Sequence, residues 1–202
     1  MNIAVVDGIP IPVDEVDVRE ARLRGGSMAS ALPMPGTSEG RQLRRWLTQL
    51  IVTERVVAVE AAARGLTVDG VPTEDDLLPD ITARLEIGSI AAAALGDVRA
   101  RALFVVITAD VRVGDDEIAA YHDRNPLRFG DCRRENYGWR APAVVVPPFA
   151  VVRPLIAEHL LAAAHRRAFR VWLDRRRADL VQLSPGYEHP GDPRQPDNTH
   201  RH

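Results

Sequence analysis

Lysine is missing from this chain. All 26 of its basic Lys/Arg positions are arginine, which a GC-rich coding sequence accounts for without any special guanidinium chemistry. Cysteine is nearly missing too. Cys132 stands alone, so no internal disulfide can form and nothing calls for an oxidising compartment. No apolar run approaches the ~20 residues of a membrane-spanning helix. The start, Met1-Asn-Ile-Ala-Val-Val-Asp7, has no basic leader and breaks its apolar run at Asp7, unlike a signal peptide. These absences predict a cytoplasmic protein with no membrane partner. An excess of one charge is also lacking: 26 cations against 28 acids leave a net charge of −2, which gives no reason to expect nucleic acid. What remains is ordinary for a folded chain, 46% hydrophobic and 27% charged over 202 residues, long enough to bury a real core.

Turn residues and apolar spacing then divide the chain. Ile3 to Val6 reads as a strand, Asp7-Gly8 as a type I′ hairpin turn and Ile9-Pro-Ile11 as the return. Asp14 is a good cap for a helix to about Leu23, stopped by Gly25-Gly26. Residues 25–37 form a loop. A long helix is predicted over 38–64, with Leu43, Trp46, Leu47, Leu50 and Ile51 on one face and Gly65 at its end. Residues 73–95 are helical with a break near Pro79, and 97–107 form another helix. In the stretch 111–129, Val111 and Val113 lead to Asp115 as a cap, Ile118, Tyr121 and His122 share a face, and Asn125-Pro126 stops the helix. After an irregular stretch, 130–148, a second long helix covers 149–179, with Ile156, Leu160, Phe169, Trp172 and Leu173 as its buried stripe. Residues 180–183 read as a terminal strand. The expected fold class is mainly α, with a small β-sheet formed by the N- and C-terminal strands. The body spans 1–183 and a Pro- and His-rich tail spans 184–202.

Several of these segments together resemble the SurA/PpiC-type, parvulin-family peptidyl-prolyl isomerases and chaperones. Val5-Val6-Asp7-Gly8-Ile9-Pro10-Ile11 is similar to the family's opening strand and turn, and Ala61-Ala-Ala-Arg-Gly-Leu66 to the end of its long helix. The stretch 111–129 resembles the helix leading into the isomerase domain, and 149–181 the helix and strand that follow it. The resemblance implies a SurA-like N-terminal module closed by the last helix. It also implies an isomerase domain between 129 and 149, and that domain is missing. Residues 130–148 hold no histidine and no Gly-Gly pair, and nineteen residues cannot build that fold. No catalytic residue of the family transfers, so no isomerase activity is expected. Family members are usually exported, and this chain departs from them there as well.

Function is therefore expected to be noncatalytic: a chaperone or accessory protein whose partner is a protein or peptide client, with no cofactor. A groove between helices 38–64, 97–107 and 149–179 would be lined by Trp46, Leu50, Phe104, Ile156 and Trp172, and Trp139 offers an aromatic contact in the loop. The same side chains also suit a core. The alternative is a small enzyme, or a subunit of a biosynthetic complex, built on the tail. His200 and His202 point to one side of an extended chain, where His189 or an aspartate would complete a divalent-metal shell. Docking of the tail on the body or a partner, and plain disorder, are the other readings. Gly36-Thr-Ser38-Glu-Gly40 matches a hydrolase nucleophile pattern, but the prolines before it disqualify the strand that pattern requires. Thr37 or Ser38 as a helix cap is simpler. His122 lacks a partnered nucleophile, His159 and His165 on the last helix are most simply solvated or partly buried, the thiol of Cys132 has basic neighbours but no partner, and the arginines along the last helix alternate with acids as on a solvated face.

Overall fold

A computed structural model describes residues 1–27, 29–129 and 147–188. Its sheet has three antiparallel strands in the order β2-β1-β3: β1 (Asn2–Val6), β2 (Ile9–Pro12) and β3 (Val181–Leu183). Asp7 and Gly8 both take positive φ, 50° and 75°, as a type I′ turn demands, and Val6 faces Ile9 across it. Pairing of Val6 with Val181 and Ala4 with Leu183 joins the two ends of the described body. The chain is thus mainly helical with a small sheet made by its N- and C-terminal strands.

Eight α-helices are present among the described residues: α1 (Val13–Arg24), α2 (Ser38–Ala63), α3 (Glu74–Leu77), α4 (Ile81–Ile87), α5 (Ser89–Ala94), α6 (Val98–Thr108), α7 (Asp115–Arg124) and α8 (Phe149–Leu180). Two expected caps are displaced by one or two residues. Extended Pro12 precedes α1 and Gly114 precedes α7. Asp14 and Asp115 consequently sit inside the first turns, where they answer the helix dipole rather than cap an amide. Elsewhere the caps are side chains. The Thr37 hydroxyl accepts from the Gly40 amide at 3.1 Å, Asp80 from Ala83 at 2.8 Å and Asp97 from Arg99 at 2.8 Å. The segment 73–95 breaks twice, at the expected Pro79 and again at Gly88, whose φ of 90° excludes most other residues. At the end of α2, Gly65 donates to Ala62 and Leu66 to Ala61, the reciprocal pair of a Schellman stop.

Helix α2 runs through the middle, packed by α1, α5, α6 and the sheet. The main core joins Ile3, Val6 and Ile11 of the hairpin to Leu47, Val52 and Val56 of α2, Leu103 and Phe104 of α6, and Phe169 and Leu173 of α8. A smaller cluster stands apart: Ile118 of α7 against Val152 and Ile156 of α8, edged by Tyr121, Phe129 and Phe149. Helix α8 therefore serves two cores, the far half closing the body and the near half carrying α7. No helix among the described residues is long and apolar enough to cross a membrane.

Candidate functional site

The side chains expected to line one groove lie in three places. Phe104 is 3% exposed and stacks on Phe169 at 5.1 Å between ring centres, and Phe169 in turn meets Trp172 at 5.5 Å. Ile156 is fully buried in the α7–α8 cluster. Leu50 is buried, and half-buried Trp46 donates its indole N–H to the Ser89 hydroxyl at 3.2 Å. These side chains are thus spread over separate clusters rather than gathered in one place. Trp139, His189, His200 and His202 lie outside the described residues, as does Cys132. Among the described residues no group of three or more His, Cys, Asp or Glu is placed to hold a metal ion.

Among the described residues, openings do lie along α2. One hollow of about 570 Å³ lies between α1, α2 and the start of α6, with Ile51 and Ala58 at its base. Its walls are charged: Arg19 pairs with Glu54, and Arg55 with Glu15 at 2.9 Å, while Asp14, Arg22 and Arg99 complete the rim. Arg55 and Ala58 also border a second, apolar hollow of about 270 Å³, walled by Val6, Ile9, Ile11, Val59 and Ala62. Ile9 is 60% exposed at its edge. The two hollows share Arg55 and Ala58, the apolar one beside the hairpin and the charged one towards α6, and together are termed the α2 channel. Its one signal in the sequence is that Ile51, Arg55, Ala58 and Ala62 recur at the spacing of a single helix face.

Strand β2 forms one bank of this channel, and it cannot recruit another strand. Ile9 and Ile11 pair with Val6 and Ala4, and the Val13 amide donates to the Met1 carbonyl. The alternate positions, whose amides would face outward, are Pro10 and Pro12, which have no N–H. Anything seated in the channel is therefore held by side chains.

A second cleft, of about 370 Å³, separates α4 from the near half of α8 and contains His159, Arg128, Phe129 and Leu155. Burial, then the charge of Arg128, holds the His159 imidazole below the usual histidine range, and burial with Arg112 and Arg166 does the same for His165. His122 is poorly placed as a base. Its Nε2 and the neighbouring Tyr121 hydroxyl are buried without a hydrogen-bond partner among the described residues, and its Nδ1 is 4.0 Å from Asp123.

Around Ser38 the geometry is that of a helix start. Thr37 donates its hydroxyl to the Met34 carbonyl at 2.8 Å while capping Gly40. A Cβ on Gly40 would collide with that same carbonyl, so the second glycine of the motif serves a close backbone approach.

Near the other terminus Ser184 and Tyr187 are fastened to the body. The Ser184 amide donates to the Ile3 carbonyl at 2.9 Å and its hydroxyl to the Asn2 carbonyl at 2.8 Å. Gln49 donates to the Tyr187 carbonyl at 2.8 Å, and the Tyr187 ring packs against the main core.

A protein-family model described as a family of unknown function (DUF7158) matches residues 2–39, which cover β1, β2, α1 and the beginning of α2. No curated protein and no solved structure matches the chain.

Proposed function

We propose that the chain is a noncatalytic protein- or peptide-binding module of the SurA-like kind, working as a chaperone or accessory protein without prolyl isomerase activity. The channel along α2 carries this reading. An apolar trough and a hollow rimmed by both charges lie side by side, with Arg55 and Ala58 lining both. That combination suits an aliphatic side chain flanked by charged residues on an unfolded segment, the usual division between apolar anchor and polar rim in recognition. The prolines of β2 favour side-chain capture over strand addition. The order of elements, a hairpin, a long central helix, a lead-in helix and a closing helix and strand, agrees with the same resemblance.

The test uses a fluorescent, reduced and carboxymethylated model protein that stays unfolded. Wild type should bind it saturably, and Ala58→Glu, which puts a charge in the trough, should weaken binding at least fivefold while leaving the far-UV circular dichroism melt in place. Wild type should not accelerate cis–trans exchange in a prolyl peptide. Equal binding by wild type and Ala58→Glu, no binding at all, or catalysed exchange would each overturn the proposal.

A further inference from the structure

Arginines on α8 are treated differently by their surroundings. Arg166 is 6% exposed and meets Glu86 through both Nε, at 2.9 Å, and Nη2, at 2.7 Å. Arg176 meets the buried Glu60 in the same two-pronged way, at 2.7 and 2.6 Å. Arg177 has no such partner among the described residues. Its guanidinium is half-buried and donates to the neutral Oε1 of Gln49. Burial holds it below the usual arginine range, and the charge of Asp174 offsets only part of that. A cation withdrawn from water with a neutral acceptor alone is costly, and one bond leaves most of its five donors free for another oxygen.

Arg177 borders a hollow of about 260 Å³ between α8 and the α4–α5 corner. Ile87, Ile90 and Leu173, all at most 7% exposed, form its apolar floor. Arg170, one face-repeat before Arg177, stands on the rim. It reaches Asp174 only at 4.0 Å and the Glu86 carbonyl at 3.4 Å. Asp174 is 67% exposed and is the single acid on this rim against two arginines.

We infer that this hollow binds a small organic carboxylate with a short branched aliphatic group, its oxygens on Arg177 and Arg170 and its carbons on Ile87, Ile90 and Leu173. The fork of a guanidinium matches the two oxygens of a carboxylate, and the floor accounts for the apolar part. Such a group can come from a free acid or from the last residue of a peptide. The site does not depend on the α2 channel.

Isothermal titration of the full chain in low chloride tests this with four probes: 4-methylpentanoate, acetyl-Ala-Ala-Leu with a free carboxylate, the same peptide as its C-terminal amide, and inorganic phosphate. Saturable binding of 4-methylpentanoate, of the peptide acid, or of both is expected, and which of them binds identifies the source. The amide and phosphate should bind at least tenfold more weakly. Arg170→Gln, which leaves the Arg177–Gln49 bond in place, should weaken the favoured probe at least fivefold. Arg177→Gln should do the same or more, and exposed Arg175→Gln should have no effect. No saturable binding by wild type, phosphate equal to the carboxylates, or unchanged affinity in Arg170→Gln and Arg177→Gln would overturn the inference.

Discussion

Replacing Glu60 by glutamine should expose how far this fold depends on ion pairs between its two long helices. Glu60 is 3% exposed on α2 and accepts from Arg64 one turn on and from Arg176 across on α8. Breaking a buried pair from one side costs about 3–5 kcal/mol where the orphaned charge stays dry. Here both guanidiniums are 33% exposed and can rehydrate, which brings the expected loss to about 2–3 kcal/mol. For a chain of this length that lowers Tm by about 4–12 °C. Urea unfolding followed by circular dichroism measures the loss directly. A double cycle with Arg176→Met should return a coupling of at least about 1 kcal/mol. Acid titration gives the sign. Burial pushes the Glu60 carboxyl up, but the hydrogen bonds and charges of Arg64 and Arg176 outweigh it and hold the group below its usual 4.5. Its contribution is therefore fully present above 4.5 and fades as pH falls through the lowered value. Glu20 behaves likewise, its burial outweighed by Arg24 and Arg44. The gap between wild type and Glu60→Gln should be flat near neutrality and close in acid. A loss under about 0.5 kcal/mol, within the usual range of surface substitutions, or a gap that persists in strong acid, would refute the reasoning.

Two further substitutions test the start of α2. Gly40→Ala should destabilise by about 1–3 kcal/mol despite alanine's better helix propensity, because the new methyl meets the Met34 carbonyl; a rise in Tm would show that the backbone gives way. Thr37→Ala should cost about 1 kcal/mol by removing the cap, whereas Ser38→Ala should stay within about 0.5 kcal/mol and leave any background ester hydrolysis untouched. A hydrolytic activity abolished by Ser38→Ala alone would restore the nucleophile reading of residues 36–40.

Local chemistry made most of the elements legible. The positive φ of Asp7-Gly8, the stop at Gly65 and the Asp97 cap each depend on residues adjacent in sequence. The displaced caps show the limit of that logic. Asp14 and Asp115 are good capping types, but the neighbouring Pro12 and Gly114 already hold the extended geometry the cap position needs. Gly88 was overlooked because a lone glycine in a helical pattern is compatible with helix, and only its φ of 90° makes it a break. The candidate site was harder still. Large apolar side chains such as Phe104 and Ile156 suit a groove or a core equally, and neighbours distant in sequence decide which. The bonds from Gln49 to Tyr187 and from Arg177 to Gln49 join residues 138 and 128 apart, and nothing in either local sequence signals them.

Topology bears on the junction after α7 more strongly than any motif does. Strand β1 is the central strand, with β2 on one side and β3 on the other. A chain stopping after Phe129 would leave one edge of β1 unpaired and remove Phe169 and Leu173 from the main core. It would also strip Glu60 of Arg176 and Ile118 of its partners Val152 and Ile156. Both clusters and the sheet therefore need residues from each side of the junction. The near half of α8 carries α7 while its far half closes the body. Helix α7 is thus held in the fold by the returning α8, through Ile118 against Val152 and Ile156.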